Sequence, residues 1–342
     1  MERSIIMPND ILVAVVGASI GKIALVPNHI KEGNTNQNIS RIRIKNLNEI
    51  SPTYIAIYLN LFPECLIKAS TVTTQPYINN TELGNIEIPI PPIEIQNKIA
   101  NIIQEAYSKK ESLEKEASEL LNSINDYVLN ELDIKIDDNI KKEKCFTVKY
   151  SEIKNKRMDS FWYSLNKIFF KSNKFENKIL SELVLISKGN MITNSTKEDG
   201  DIPVIAGGQI PAYYNNKSNY EGNIITISAS GAYSGYVWYH NYPIWASDCN
   251  VSQSCNKDVD IKYIYVILKL NQDNIYKLQK GTAQPHVYAS DIGNIPIPIP
   301  PIEIQNKIAD EATNRREKAF KLQEEAKNII EEAKKEVESI LF

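Results

Sequence analysis

The chain has 342 residues, 42% of them hydrophobic, which allows two or three domains with a sizeable core. The net charge of −3 hides an uneven spread: residues 145–300 carry 16 basic against 13 acidic side chains, 93–144 carry 8 against 12, and 301–342 carry 8 against 10. Bulk charge therefore excludes a polycationic nucleic-acid binder, and any footprint on DNA has to come from local placement of Lys and Arg. The four cysteines, Cys65, Cys145, Cys249 and Cys255, form no CxxC pair and only three histidines accompany them, which argues against structural zinc. With no signal peptide and no apolar run of about 18 residues, a reducing cytoplasm is expected and no membrane is.

Residues 9–86 read as short strands and turns: Asp10 to Val16, the Gly17–Gly21 turn, Lys22 to Val26, and Ile39 to Ile44 with Arg41 and Arg43 alternating outward. Pro52 to Leu61 reads as a helix with proline in its first turn. From Ile88 to Pro92 an Ile/Pro alternation imposes an extended backbone, because each proline fixes φ and holds its predecessor extended. After Pro92 a helix begins. Apolar residues at Ile95, Ile99, Ile102, Ala106, Leu113, Ala117, Leu120, Ile124 and Tyr127 form a seam of about four heptads, with a charged interruption near Lys109.

The next globular stretch begins near Cys145. It includes Arg157–Tyr163, a helix expected through Asn166 to Phe170, and strands with polar turns up to Pro296. Ile297 to Pro301 is again extended. A second long helix follows, with a seam at Ile304, Ile308, Ala319, Leu322, Ala326, Ile329, Ala333, Val337 and Ile340, interrupted by Arg315. Neither stripe can be buried by its own helix, so the two helices are expected to pair. Seam spacing alone leaves parallel and antiparallel pairing open.

The organising feature is a duplication. IPIPPIEIQNKIA runs from Ile88 to Ala100 and again from Ile297 to Ala309, an offset of 209. Asp10-Ile11-Leu12 matches Asn223-Ile224-Ile225, Gly17 and Gly21 match Gly231 and Gly235, Tyr54-Ile55 matches Tyr263-Ile264, and Gln75-Pro76 matches Gln284-Pro285. The bodies diverge while the hinge is unchanged, as expected if two bodies read different things and the helical frame meets one constant partner. About 70 residues upstream of the matched region in the second copy have no counterpart in the first, so the first body reads as shortened.

No catalytic signature is present. Every Pro-Pro is preceded by Ile, so there is no Asn/Asp-Pro-Pro-aromatic amino-methyltransferase motif, and Gly17-x3-Gly21-Lys22 lacks the spacing and Ser/Thr of a phosphate loop. Ser228-Ala229-Ser230-Gly231 reads as a turn between strands, and not as a nucleophile elbow.

The repeated body, the hinge ending in Pro-Pro-x-x-x-Gln, the long helix, the run Gly281-Thr282-Ala283-Gln284-Pro285-His286-Val287 and the turn Gly17–Lys22 together resemble the specificity (S) subunit of type I restriction-modification systems. The resemblance implies an α+β fold with two mixed α/β globular target-recognition domains, the first incomplete, joined by two helices packed as an antiparallel coiled coil. The expected parts are residues 1–92, 93–144, 145–301 and 302–342. It further implies a non-catalytic protein that reads a bipartite site on double-stranded DNA. Methyltransferase (M) subunits would dock on the helical frame, restriction (R) subunits would join through the complex, and S-adenosylmethionine would be bound by the methyltransferase and not by this chain. Self-association of shortened chains is a further expectation. A silent cassette, the specificity subunit of a two-subunit system with fused methyltransferase and nuclease, and a two-headed carbohydrate or peptide binder are the competing readings.

Candidates for DNA contact are polar residues in loops, where amides read base edges and lysines hold phosphates. They are Lys188 and Asn190, with Lys197 nearby; Gln209, Tyr213, Asn215, Asn216 and Lys217; Tyr233 in the Gly-rich turn; and Lys280 and Thr282. Lys22, Arg41 and Arg43 are the basic candidates of the first body. The other aromatics near Tyr236–Tyr242 are expected to pack, and Gln284, followed by proline as Gln75 is, is expected to cap backbone groups of its own loop. On this reading the helices set the gap between half-sites. Inserting a turn or more into them should change the length of the unread spacer, as measured by binding-site selection, and an unchanged spacer would contradict it.

Overall fold

The computed structural model describes residues 4–68, 70, 77–135, 147, 149–150, 168–193, 195–196 and 198–342. The chain divides into two compact units, Met1–Ser118 with Ala319–Phe342, and Glu119–Lys318. The two long helices pass through both.

In the first unit, β1 (Ile5–Ile6) pairs with β4 (Gly33–Asn34), and β2 (Ile11–Ala14) lies between β3 (Ile23–Leu25) and β5 (Ile39–Ile42) in an antiparallel sheet of order β3-β2-β5. Helix α1 (Pro52–Leu61) starts where expected, with Ser51 capping the Tyr54 N–H and proline at the first turn. Short helices α2 (Glu64–Lys68) and α3 (Asn80–Gly84) follow. The core gathers Ile11, Val13, Tyr54, Leu59, Leu66, Ile99 and Ile103, closed by Ala333 and Val337.

The long helix α4 (Ile93–Glu131) leads into the second unit. There β6 (Asn177–Ile179), the single-turn helix α5 (Leu180–Leu183) and β7 (Val184–Lys188) form one continuous segment. Strands β8 (Ile202–Ile205), β9 (Tyr213–Asn215), β10 (Ile224–Ser228), β11 (Val237–His240), β12 (Trp245–Ala246) and β13 (Cys249–Ser254) build two sheets, of order β11-β10-β13-β7 and β12-β8-β9. Helices α6 (Ile261–Leu270), α7 (Gln272–Tyr276) and α8 (Ala289–Ile292) precede β14 (Pro296–Pro298), which pairs with β6, and the final helix α9 (Ile302–Leu341). The larger core lies between the four-stranded sheet and α6, with Ile225, Ile227, Val237, Tyr263, Ile264, Ile267 and Ile297 fully buried.

The repeat survives in three dimensions. β2, β3 and β5 correspond to β10, β11 and β13, and the matched glycines Gly17, Gly21, Gly231 and Gly235 all adopt positive φ (80° to 93°), which a side chain would strain. The expected helix at Asn166–Phe170 is not borne out where it can be followed: Ile168–Phe170 form a turn and bend, with Phe169 buried in the core. Phe169 is an apolar anchor in a bend and not part of a helical stripe. Arg157–Tyr163 lie outside the described residues.

The helices pair antiparallel in each unit. In the first, Lys109 reaches Glu325 at 3.0 Å, and Ile99, Ala106 and Ala117 are buried, as are Ala319, Ala326 and Val337. In the second, Lys307 meets Glu131 at 2.8 Å, and Arg315 donates to the Ser123 carbonyl at 2.9 Å while lying over the Tyr127 ring. Arg315 interrupts the apolar seam but satisfies itself within it. Ile103 is more deeply buried than Ile102, so the seam shifts by one position there.

Each body is locked to its helix by the same two side chains of the repeat. Gln96, fully buried, accepts from the Ser51 N–H at 2.8 Å and donates to the carbonyls of Glu49 and Pro91, both at 2.8 Å. Gln305 accepts from the Asp260 N–H at 3.1 Å and donates to Asp258 at 3.1 Å and Pro300 at 2.9 Å. The Tyr54 hydroxyl donates to the Pro89 carbonyl at 2.6 Å, and that of Tyr263 to Pro298 at 2.7 Å. Since a buried unsatisfied group costs about 1–3 kcal/mol, Gln305→Leu should destabilise the protein by at least about 3 kcal/mol and Tyr263→Phe by about 1–2 kcal/mol. Urea unfolding measures both, with exposed Lys307→Gln as the near-neutral control.

Candidate nucleic-acid interface

In the second unit the loops beyond the ends of β7, β8, β10 and β12 and before β13 come together at one rim. Gly189 N–H donates to Cys249 and Asn190 N–H to Ala246, both at 2.9 Å, and the Trp245 indole donates to the Asn190 carbonyl at 2.7 Å. Ser247 N–H reaches Ile205 at 2.8 Å, Ala229 N–H reaches Asp248 at 3.2 Å, and Gly231 N–H reaches Pro285 at 3.0 Å. The approach is close enough that a Cβ on Gly207 would lie 2.5 Å from the Ser230 carbonyl oxygen, and one on Gly189 would lie 2.2 Å from that of Ser247. Glycine at these two positions therefore allows the loops to touch.

Lys188 and Asn190 stand exposed on this rim, and Lys188 has no carboxylate partner among the described residues. Gln209 is exposed near Tyr276, whose hydroxyl is raised by burial and drawn partly back by the Gln209 side chain. Tyr233 is about half exposed beside them. Tyr213 sits at the rim end of β9, with its hydroxyl donating to the Ile192 carbonyl. Thr282 is exposed at the tip of the loop that Lys280 and His286 close by pairing backbones.

Other candidates are drawn elsewhere. Asn215 is buried; its amide accepts from Glu198 N–H at 2.9 Å and donates to the Lys217 carbonyl at 3.0 Å. Asn216 and Lys217 both bind the Glu198 carboxylate, at 2.6 and 2.8 Å, which holds that carboxyl below its usual range. Because β8 and β9 are antiparallel with Ile202 opposite Asn215, this trio lies at the end of the hairpin away from Gln209. Lys280 is at the rim, but its ammonium is 2.7 Å from buried Asp291. Lys197 lies outside the described residues.

Gln284 departs from its expected role. Its side chain is exposed and makes no side-chain hydrogen bond among the described residues, so it offers a free amide at the rim instead of capping its loop. The Gln-Pro match suggested a structural role; only the fold shows that the turn is closed by backbone pairing. Gln75 lies outside the described residues. The aromatics on and beside β11 do pack: Tyr236, Trp238, His240 and Tyr242 meet edge-on or tilted along one face at centroid distances of 5.0 to 6.2 Å.

The first unit repeats the rim in outline. Val16 pairs with Tyr77 as Ser230 does with His286, and exposed Lys22 sits beside the Gly17–Gly21 turn. Arg41 and Arg43 lie toward the other end of the sheet. Arg43 grips buried Asp10 through two bonds of 2.6 Å, and Arg41 donates to the Ile5 carbonyl.

A family model described as the type I restriction modification DNA specificity domain matches residues 3–123 and 172–332. The chain belongs to this family. A putative type I specificity subunit of Mycoplasma pneumoniae is 27% identical over 231 residues, 67% of this chain and 80% of its own length. The putative type I restriction enzyme MjaX specificity subunit of Methanocaldococcus jannaschii is 26% identical across 97% of this chain and 77% of its own length. In fold, the crystal structure of a type I restriction-modification S subunit from M. genitalium superposes with a TM-score of 0.61 at 17% identity, covering 100% of this chain and 85% of that one. The chain is thus a DNA sequence-recognition subunit of a type I restriction-modification system, and not itself an enzyme. No helix of the described residues is long and apolar enough to cross a membrane.

In this specificity subunit Arg41 and Arg43 are engaged within the fold, whereas Lys22 lies exposed at the other end of the first sheet. Burial raises the Asp10 carboxyl, but the Arg43 hydrogen bond, the Met7 N–H and the nearby guanidinium charges outweigh it and hold the group below its ordinary 3.8. The stabilisation is therefore present above the usual carboxylate range and is lost as pH falls through the lowered value. Arg43→Gln should cost about 2 kcal/mol of stability, flatten the acid limb of unfolding, and leave the salt dependence of DNA binding unchanged, as read by denaturation at several pH values and by titration with DNA.

Proposed function

We propose that the rim of the second unit reads one half of a bipartite DNA site, with Asn190, Gln209, Thr282 and Tyr233 facing base edges and Lys188 holding phosphate. The observation that carries this reading is the convergence of loops from separate strands onto one rim of exposed amide, hydroxyl and aromatic groups. An exposed amide can bind adenine bidentately in the major groove, and an unpaired ammonium supplies sequence-independent affinity. Gln284 joins this set. Tyr213 shapes the rim from below, Lys280 contributes through the loop it fixes, and Asn215, Asn216 and Lys217 brace the neighbouring hairpin. In the first body Lys22 is the counterpart phosphate contact.

The working parts are residues 1–92 and 145–301 as reading bodies and 93–144 and 302–342 as the frame. The identical hinge and helix start in both copies suit a frame that offers methyltransferase subunits two equivalent seats, with restriction subunits joining through them. The methyl donor and the chemistry belong to those partners. The intramolecular pairing of the helices favours a working adaptor.

Exchanging residues 145–296 for those of another specificity subunit should change one half of the selected sequence and leave the other intact; a change in both halves would contradict the division of labour. Lys188→Ala should weaken binding to all sequences alike and reduce the slope of log affinity against log salt by about 0.9, whereas Gln284→Ala should relax preference at one base position, as read by selection from a random pool.

A further inference from the structure

Exposed apolar side chains are ordinary when scattered singly. The two most exposed large aliphatic side chains among the described residues, however, are Met191 at 78% and Ile210 at 75%, and both stand on the rim of the second unit. Each directly follows one of the amides at that rim, in the dipeptides Asn190-Met191 and Gln209-Ile210. Neither joins the hydrophobic clusters on the two faces of the four-stranded sheet.

The backbone holds this exposure in place. On one side of Met191, the Asn190 N–H donates to the Ala246 carbonyl at 2.9 Å and the Asn190 carbonyl accepts from the Trp245 indole at 2.7 Å. On the other, the Ile192 N–H donates to the Ser247 hydroxyl at 3.2 Å and the Ile192 carbonyl accepts from the Tyr213 hydroxyl. Ile210 precedes Pro211, which holds it extended, and the Ala212 N–H returns to the Val204 carbonyl at 2.9 Å. Tyr213, at the start of β9 just past Ile210, thus ties the two loops together. A frayed loop tip exposes an aliphatic group by default; these two are presented from backbone fixed beside them.

We propose that Met191 and Ile210 read the 5-methyl groups of thymines in the half-site, each at or beside the A·T pair gripped by its amide neighbour; this rests on the proposed placement of Asn190 and Gln209 in the major groove. The thymine methyl is the apolar group that the major groove displays, on the same pair whose adenine offers its N7 and N6 to an amide. An aliphatic side chain gains nothing from a phosphate, whereas covering a methyl removes apolar surface of both partners from water. Wedging between base steps, the other use of an apolar side chain on DNA, works from the minor groove, where an amide cannot reach those adenine groups. The half-site read by the second unit therefore contains thymine at two positions where uracil, which pairs identically, is a poorer substitute.

The test uses the whole chain with its cognate methyltransferase subunit. Duplexes are selected from a random pool, and the selected half-site is remade with uracil in place of thymine at one position at a time, which removes a single methyl and keeps every base pair. Two of these replacements should each weaken binding about fourfold, the worth of one buried methyl. Met191→Ala should make one of them silent and Ile210→Ala the other, whereas Leu185→Ala, exposed at the far end of β7 from the rim, should leave both intact. Equal binding to thymine and uracil at every position, or methyl sensitivity that survives both substitutions, would overturn the proposal. So would an Ile210→Ala loss that is the same for thymine and uracil duplexes of every sequence, which would make the side chain a wedge. If Asn190→Ala and Gln209→Ala leave the selected half-site unchanged, the reading of the rim fails and the methyl contacts with it; if they alter it while no methyl sensitivity is found, the methyl contacts alone fail.

Discussion

The fold of each body depends on one buried glutamine. Gln96 and Gln305 sit one turn into the long helices, where each side chain binds the residue capping the neighbouring body helix, a carbonyl just before that cap, and a hinge carbonyl. An amide has the donors and acceptor to meet all three at once. Glutamate would lack the donors, and leucine would leave three buried backbone groups unmet. Together with Tyr54 and Tyr263 on the preceding hinge carbonyls, this fixes where the extended Ile/Pro stretch ends and the helix begins. It accounts for the glutamine and the extended hinge recurring in both copies while the bodies have diverged.

From that lock the remaining architecture follows. The hinge is held extended by its prolines, its isoleucines fill the body core, and the helix departs in a fixed direction from each body with its apolar stripe turned to the other helix. What is left free to vary is the far side of each sheet, where loops meet and short side chains decide what is exposed. The same frame can therefore carry different reading surfaces, which is what a specificity subunit needs from its fold.

Much of this was legible in the sequence. The duplication, the extended hinges, the helix at Pro52–Leu61 and the long paired helices all leave periodic or repeated signals, and the aromatic spacing of β11 correctly suggested packing. Individual site residues were less legible, because a polar residue in a loop looks the same whether it faces solvent or a neighbour. Asn215 and Gln209 are both amides in one predicted loop, yet the first is buried as a brace and the second reaches the rim. Arg43 alternates outward as expected but is drawn onto Asp10, a pairing that spans 33 positions and leaves no local trace. The match of Gln284 with Gln75 points to a structural role, yet the backbone closes that loop unaided. Helix direction also required the fold, since seam spacing is indifferent to it.

The most direct test is to express the chain with its cognate methyltransferase subunit in a host free of methylation and to map modified bases across the genome. Two bodies on one helical frame predict a bipartite adenine motif with a fixed unread gap. A single contiguous motif, or no methylation while the methyltransferase copurifies with the chain, would contradict it.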